Sequence, residues 1–393
     1  MSTYETHMHY LDNSATTPLC AEARAAMEEA MDCFGNPSSL HAAGQAAHRL
    51  LERARGQVAG ALGVTRPVPG ELIFTASGTE ASNTALFGTL LSGKHIAGRQ
   101  IISTDCEHPS VENLLRRLEA EGFSVVRIRT RGGVLDTEAA IAALETPTAL
   151  VSLMLVNNET GARFDVERVF RAAKAKNPAT LTHCDAVQGF LKVPFTVKSL
   201  SADMITLSGH KIHAPKGVGA LYVNPALIKS RALRPYLIGG GQEAGLRSGT
   251  ENLIGICGFG AAAARGREHF AADTERMRSL RDGILARLAD SEIKCNRPSG
   301  ADAPHILSLT LPSIKSQTML NYLSDKGIYV SSGSACSSHG KEPSASLRAL
   351  GLTAAEADCT LRVSLSPFNT EEDTTALVEA LLEGTDHLVR IRR

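Results

Sequence analysis

Two side chains could carry covalent chemistry: Lys211, at the end of Met204-Ile205-Thr206-Leu207-Ser208-Gly209-His210-Lys211, and Cys336, within Ser331-Ser332-Gly333-Ser334-Ala335-Cys336-Ser337-Ser338-His339-Gly340-Lys341. The apolar run Met204 to Leu207 reads as a buried strand. The Ser-Gly pair after it turns the chain, so Lys211 stands just past a strand end. A lysine there could form a Schiff base with a carbonyl cofactor; the plain alternative is a solvated loop lysine, and this segment alone does not choose. Cys336 lies in a small, polar, Gly/Ser-rich stretch that reads as a surface loop. The other seven cysteines, at 20, 33, 106, 184, 257, 295 and 359, read as small buried apolar residues. A loop whose one apolar neighbour is Ala335 offers no such core. An exposed thiol with an ordinary pKa of about 8.5 is partly thiolate near neutral pH and suits a nucleophile. Metal binding by Cys336 with His339, or by His210 with His213, lacks a full ligand set.

The elements that must position these residues follow from the pattern of apolar runs. From about residue 71, short β-rich runs alternate with amphipathic stretches. The runs are 71–76, 100–104, 124–128, 149–156, 180–184, 204–207 and 220–223, with helical periodicity at 111–121 and 166–176 between them. That alternation predicts βαβ units and a mainly parallel sheet. An Ala-rich helix is expected over 40–62, and a long helical region over 254–288 leads to a second domain with a strand at 305–311 and helices at 317–326 and 371–388.

Ligands of open parallel sheets bind outside the carboxyl ends of the strands, and five such ends carry reactive side chains. They are Ser77-Gly78-Thr79-Glu80, Glu107-His108, Asn157-Asn158-Glu159, Asp185 with Gln188, and Ser208 with His210 and Lys211. Each has a dull reading as a helix cap or turn former; jointly they favour a site. A helix N-terminus at Gly78 and Thr79 is a phosphate site. With a Schiff-base lysine and a strand-end carboxylate it suits pyridoxal phosphate, whose pyridine nitrogen needs an acidic partner. Asp185 is assigned as that partner; Ser208 and His210 could share the phosphate with Thr79, and His108 could stack on the ring face. Arg362, in the apolar run 361–365, could clamp a substrate carboxylate, or be an edge-strand arginine facing water.

Length and charge bound the rest. The 393 residues call for a large domain plus a smaller one. Lys plus Arg and Asp plus Glu both number 41, so nothing marks a nucleic-acid or membrane partner and a small-molecule substrate is expected. There is no secretory signal, no apolar run long enough to span a membrane and no C-x-x-C pair, so a reducing cytoplasm is expected. Gly239-Gly240-Gly241 with Gly245 does not form the G-x-G-x-x-G of a dinucleotide site.

The chain resembles the cysteine desulfurases, pyridoxal-phosphate enzymes of the class V aminotransferase group. The resemblance is carried by stretches 11–18, 34–39, 77–80, 107–108, 157–161, 185–188, 208–211, 247–252, 331–336 and 362–366. It implies an α/β, fold-type I enzyme with a mainly parallel central sheet flanked by helices and a smaller α+β C-terminal domain. The large domain would cover 15–258; residues 1–14 and 259–393 would form the smaller one and carry the cysteine loop at about 331–342. The resemblance further implies that Lys211 holds the cofactor, Asp185 its ring nitrogen, Gln188 its ring hydroxyl, and His108 its face, with a second role in proton transfer. Asn158 would contact ring or substrate. Gly78, Thr79, Ser208 and His210 would bind phosphate, joined by Thr250 from a neighbouring subunit, hence a homodimer. Arg362 would hold the carboxylate of L-cysteine, and Cys336 would take its sulfur as a persulfide, pass it to an acceptor such as an iron-sulfur scaffold or a thiolation relay protein, and so contact a nascent cluster transiently. The Ser-Ser-Gly-Ser-Ala-Cys stretch resembles the longer-loop branch, which supplies iron-sulfur assembly and tRNA thiolation. His339, Lys341 and the end at Arg393 depart from the pattern and bear on the acceptor. Selenocysteine lyase or another class V activity is the alternative, and an idle scaffolding subunit would need neither Lys211 nor Cys336.

Overall fold

The apolar runs between residues 72 and 223 join in one seven-stranded sheet in the computed structural model, which describes residues 8–91, 97–333 and 344–390. Its strands are β1 (Leu72–Thr75), β2 (Gln100–Thr104), β3 (Ser124–Ile128), β4 (Thr148–Met154), β5 (Leu181–Asp185), β6 (Met204–Ser208) and β7 (Gly219–Val223). The spatial order is β1-β7-β6-β5-β4-β2-β3. Only β7 runs antiparallel to its neighbours within this sheet. Every residue of β4 and β5 is buried, which is why these strands read as continuous apolar runs rather than alternating ones.

Period-two alternation sends side chains to two cores. In β1, Leu72 and Phe74 join the core under helices α1 (Ala21–Asp32) and α2 (Ala42–Ala61), while Ile73 joins that under α3 (Gly78–Leu90) and α4 (Pro109–Ala120). The long helical region expected over 254–288 is two helices, broken at His269. The first, α6 (Leu253–Glu268), follows α5 (Val166–Lys176) in the chain and packs on α2 so closely that a Cβ on Gly260 would lie 2.6 Å from Ala54 Cα. The second, α7 (Phe270–Leu288), turns away to another core.

That core covers a four-stranded antiparallel sheet of β8 (Lys294–Cys295), β9 (Ile306–Thr310), β10 (Ser331–Ser332) and β11 (Thr360–Ser364), in the order β8-β9-β11-β10. Helices α7, α8 (Ser316–Asp325) and α9 (Glu371–His387) bury Met277, Ile284, Met319, Leu377 and Leu381 with Leu309, Leu361 and Val363 of the strands. Leu11 belongs to this core as well. The division expected at 258/259 falls inside α6, whose Ile256 and Phe259 lie in the larger sheet's core. No described helix is long and apolar enough to cross a membrane. Of the seven cysteines read as buried, Cys33 and Cys295 are only partly so; Cys33 is the C-cap of α1 and Cys295 the last residue of β8.

One buried ion pair ties the segment after the glycine run to this frame. Arg55 of α2 and Glu243 form a two-pronged pair at 2.7 and 2.8 Å, and Glu243 also accepts the Phe74 N–H at 2.7 Å. Both residues are buried, so removing Glu243 leaves the buried fork of Arg55 with only the half-exposed Glu52, which meets its Nε at 2.9 Å. Glu243→Ala is expected to lower the unfolding free energy by about 3–5 kcal/mol in urea titration, and a combined Arg55→Met, Glu243→Leu variant by less than the sum of its single changes.

Candidate active site

Five strands deliver their carboxyl ends to one edge, and local capping fixes what each presents. After β1, Ser77 caps α3 by accepting the Glu80 N–H at 3.1 Å, which leaves the Gly78 and Thr79 backbone at the positive end of the helix. A Cβ on Gly78 would stand 3.0 Å from Val187 Cγ2 and 3.3 Å from Ser208 Cβ, so glycine keeps this wall open. After β2, His108 caps α4: its Nδ1 accepts the Ser110 N–H at 3.1 Å, so a neutral ring carries its proton on Nε2. Burial lowers the His108 pKa, Asp185 opposes the change, and Lys211 adds to it.

After β4, Asn157 is turned inward. Its Oδ1 accepts the N–H groups of Glu159 and Thr160 at 3.0 Å, and its Nδ2 donates to Ser346 Oγ at 2.9 Å; Asn158 faces the cavity. At the end of β5, Asp185 Oδ1 accepts the Val187 N–H at 3.0 Å. Burial raises the Asp185 pKa, while His108, the Val187 bond and Lys211 hold it down. After β6 a tight turn, Gly209–Lys211, aims Lys211 Nζ at the carbonyls of Ser14 and Ala15, 2.7 Å from each. His210 lies 3.2 Å from Thr16 Oγ1, and burial, with Lys211 next, pushes its pKa down to about 4.

Arg362 arrives from the other sheet. β11 lies between β9 and β10 with Arg362 opposite Ser308 and Ser331, so it is not an edge arginine facing water; it is 3% exposed. Its Nη2 donates to Asp12 Oδ1 at 2.9 Å and its Nη1 to the Asn158 carbonyl at 3.2 Å. Every expected site residue except Thr250 and Cys336 lines one cavity of about 400 Å³. Thr250 is exposed and does not line it, while Cys336 lies outside the described residues. Of the described flanks on either side of 334–343, Ser331 pairs with Arg362 in the sheet, and Ser346 bonds Asn157, the neighbour of Asn158.

Sequence reasoning gave no role to Asp12, Ser14, Glu107 or Lys192, although Glu107 stands at one of the five strand ends and Asp12 and Ser14 fall within the stretch 11–18. The backbone carbonyl of Ser14 carries no sequence signal. Lys192 did give one, a lone lysine in the apolar run Phe190-Leu191-Lys192-Val193. Glu107 sits beside His108, yet its carboxyl turns inward: Oε1 accepts from Thr104 Oγ1 at 2.8 Å and from the Met154 N–H at 2.9 Å, and Oε2 is buried without a partner.

A seven-stranded sheet with a lysine, a carboxylate and a helix N-terminus at its carboxyl edge defines a type I pyridoxal-phosphate fold. The family described as Aminotransferase class-V matches residues 9–377. A cysteine desulfurase of Trichormus azollae is 39% identical over 385 residues, 96% of this chain and 93% of that protein. Among solved structures, a NifS-like protein superposes with a TM-score of 0.89 at 35% identity, covering 97% of this chain and all of its own. SspA in complex with cysteine superposes with a TM-score of 0.78 at 31% identity, covering 92% and 99%. The chain belongs to the class-V aminotransferase family, whose cysteine desulfurase members depend on pyridoxal phosphate.

The cavity fits that cofactor. Ser14 and Arg362 line it, and Ser14 Oγ and Arg362 Nε are buried with no partner among the described residues; unpaired buried polar atoms are costly unless a ligand or water meets them. Gly78 leaves room where phosphate oxygens would approach the helix end, and Asp185 supplies the carboxylate for a protonated ring nitrogen.

Glu107 gives this site a measurable pH signature. Burial raises its pKa from the usual 4.5 to about 8. Between those values the folded protein holds a proton that the unfolded chain has released, so this group's stabilising contribution, full below 4.5, is lost as pH rises through 8. Glu107→Gln lacks that dependence. The difference in unfolding free energy between variant and wild type is expected to move in the variant's favour by roughly 1 kcal/mol per pH unit across that window, as read by urea titration at several pH values.

Proposed function

We propose that the chain is a pyridoxal-phosphate-dependent cysteine desulfurase that converts L-cysteine to L-alanine and carries the sulfur on Cys336 to an acceptor. The observation that supports this best is the convergence of Lys211, Asp185, His108 and Arg362, from two different sheets, on one cavity in a chain whose relatives are cysteine desulfurases. Bound pyridoxal phosphate supplies an electron sink for negative charge on the substrate's α carbon.

The residues divide the remaining work. The N–H groups of Gly78 and Thr79, with Ser208 and His210, hold the phosphate. Asp185 keeps a proton on the ring nitrogen, and Gln188 meets the ring hydroxyl. Arg362 binds the substrate carboxylate; a neighbour at 31% identity is known with cysteine bound. Lys211 Nζ takes the proton from the α carbon, and His108 Nε2 moves protons at the ring face. The Cys336 thiolate attacks the substrate sulfur: an S–S bond forms, the Cβ–S bond breaks, and the carbon takes up one proton to become the methyl group of alanine. Cys336 is three residues along the chain from Gly333, whose N–H bonds Thr360 in the strand that carries Arg362.

The assembly proposed is a homodimer. Phe34 and Leu40 are 91% exposed and Ile238 is 88% exposed, and apolar surface of that kind favours a partner. Thr250, exposed and absent from its own chain's cavity, is free to serve the neighbour's phosphate site. The acceptor is proposed to be a scaffold or relay protein offering a thiol.

Cys336→Ser is expected to bind the cofactor with an unchanged visible spectrum while alanine formation from cysteine falls at least about a hundredfold, read by amino-acid analysis. Full turnover by this variant would remove Cys336 from the mechanism. Lys211→Ala is expected to lose the lysine-linked visible band and all turnover; an unchanged spectrum would refute the role of Lys211.

A further inference from the structure

Behind the cavity wall stands a second lysine that the proposed reaction does not use. Lys192 is 7% exposed, and lysines are almost never so buried without a paired carboxylate. Its hydrogen-bond partner is the amide oxygen of Gln188, four residues back, at 3.4 Å. Gln188 Nε2 donates to the Ser14 carbonyl at 3.0 Å, the oxygen that also accepts Lys211 Nζ at 2.7 Å. A protonated amine can only donate, so it selects which end of the amide it faces: Oε1 toward Lys192, Nε2 toward Ser14 and the cavity.

We propose that Lys192 is a positioning residue that holds Gln188 with its amide N–H₂ turned to the cofactor site and sets its own charge against positive charge on the Lys211 nitrogen. This rests on the pyridoxal-phosphate reading above. Burial, with Lys211 and Arg362 adding to it, pushes the Lys192 amine from 10.5 down to about 7, so its charge changes in the neutral range. Lys211, in the turn after β6, and Arg362, in β11, act on it electrostatically, and His210, His213 and His305 also feel its charge. Arg265 and Asp273, paired with each other, line the small cavity it shares. His210 and His213 are held at about 4, and His305 well below its ordinary value, by burial, so none of the three changes charge near neutrality. Glu107, which interacts electrostatically with Asp185, also titrates in this range, and variants at Lys192 separate the two.

The test compares cofactor-loaded wild type, Lys192→Met and Lys192→Arg without substrate, following the visible absorbance with pH and cofactor affinity by equilibrium dialysis. Arginine keeps its charge throughout, so its midpoint is expected about one pH unit below wild type. Methionine removes a charge that wild type is itself losing in this range, so its midpoint is expected a few tenths of a unit higher, with cofactor held about two- to tenfold more weakly. Equal midpoints, or Met and Arg shifts in the same direction as packing damage alone would give, overturn the proposal. If Lys192→Met does not fold, the arginine variant decides: a lowered midpoint supports the proposal and an equal or raised one overturns it. A wild type that takes up no cofactor overturns the functional reading, and this inference with it; a normal wild-type band with unmoved variants overturns this inference alone.

Discussion

The carbonyl oxygen of Ser14 is the point on which the site depends. It accepts Lys211 Nζ and Gln188 Nε2 together, and so fixes two side chains that reach it from different strand ends. The segment that carries it is itself held from both sides. Asn13 and Ser14 bond Ser364 of β11 through backbone and side chain, and Thr17 bonds the His210 backbone beyond β6. Asp12, at the head of the same segment, holds Arg362. Four of the groups that meet the ligand are therefore oriented by six residues near the chain's start. The two sheets cannot shift against each other without moving them.

The caps around this segment do a second task, because each one that starts a helix also orients a reactive group. His108 ends one strand and caps α4, and the cap bond itself fixes which ring nitrogen carries the proton. Ser77 caps α3 and in doing so leaves the next two backbone N–H groups pointing outward. Asn157 is a purely inward case: it spends its amide on its own turn and on Ser346, and thereby leaves Asn158 to face the ligand. The neighbouring asparagines look alike in sequence, and burial alone distinguishes them.

Much of the large sheet was legible because its strands are short apolar runs bounded by turn residues; β2 and β3 fall on the expected residues. The strand-end rule then found the site from residue types alone. What it could not find was anything depending on a chain reversal. The break at His269 has no proline to announce it, and the glycine nearby, Gly266, lies inside α6; the break separates two helices that serve different cores. Arg362 could be read either way, since the four-stranded sheet places β11 between neighbours contributed by chain segments more than 20 residues distant. Glu107 and Lys192 were passed over for a related reason: their roles come from burial, which is a property of the fold, and their one-letter surroundings mark only the lysine as odd.

Arg362 shows why the smaller sheet must be part of the site and cannot be only an accessory. A guanidinium offers five N–H donors in a fixed fork, and here Nη2 and Nη1 already donate to Asp12 and to the Asn158 carbonyl while Nε is buried without a partner among the described residues. Asp12 therefore aims the fork and balances its charge. In the proposed reaction an arriving carboxylate finds the Nε–H unpaired and the plane already set, so little rotamer freedom is lost on binding. The cost is competition, because Asp12 and the substrate carboxylate repel each other across the same cation. That competition keeps binding of any one carboxylate modest, and it favours a substrate held at a second point as well, by an amine that would take the place of Lys211 on the cofactor. An α-amino acid meets both conditions, and a simple carboxylic acid meets only one.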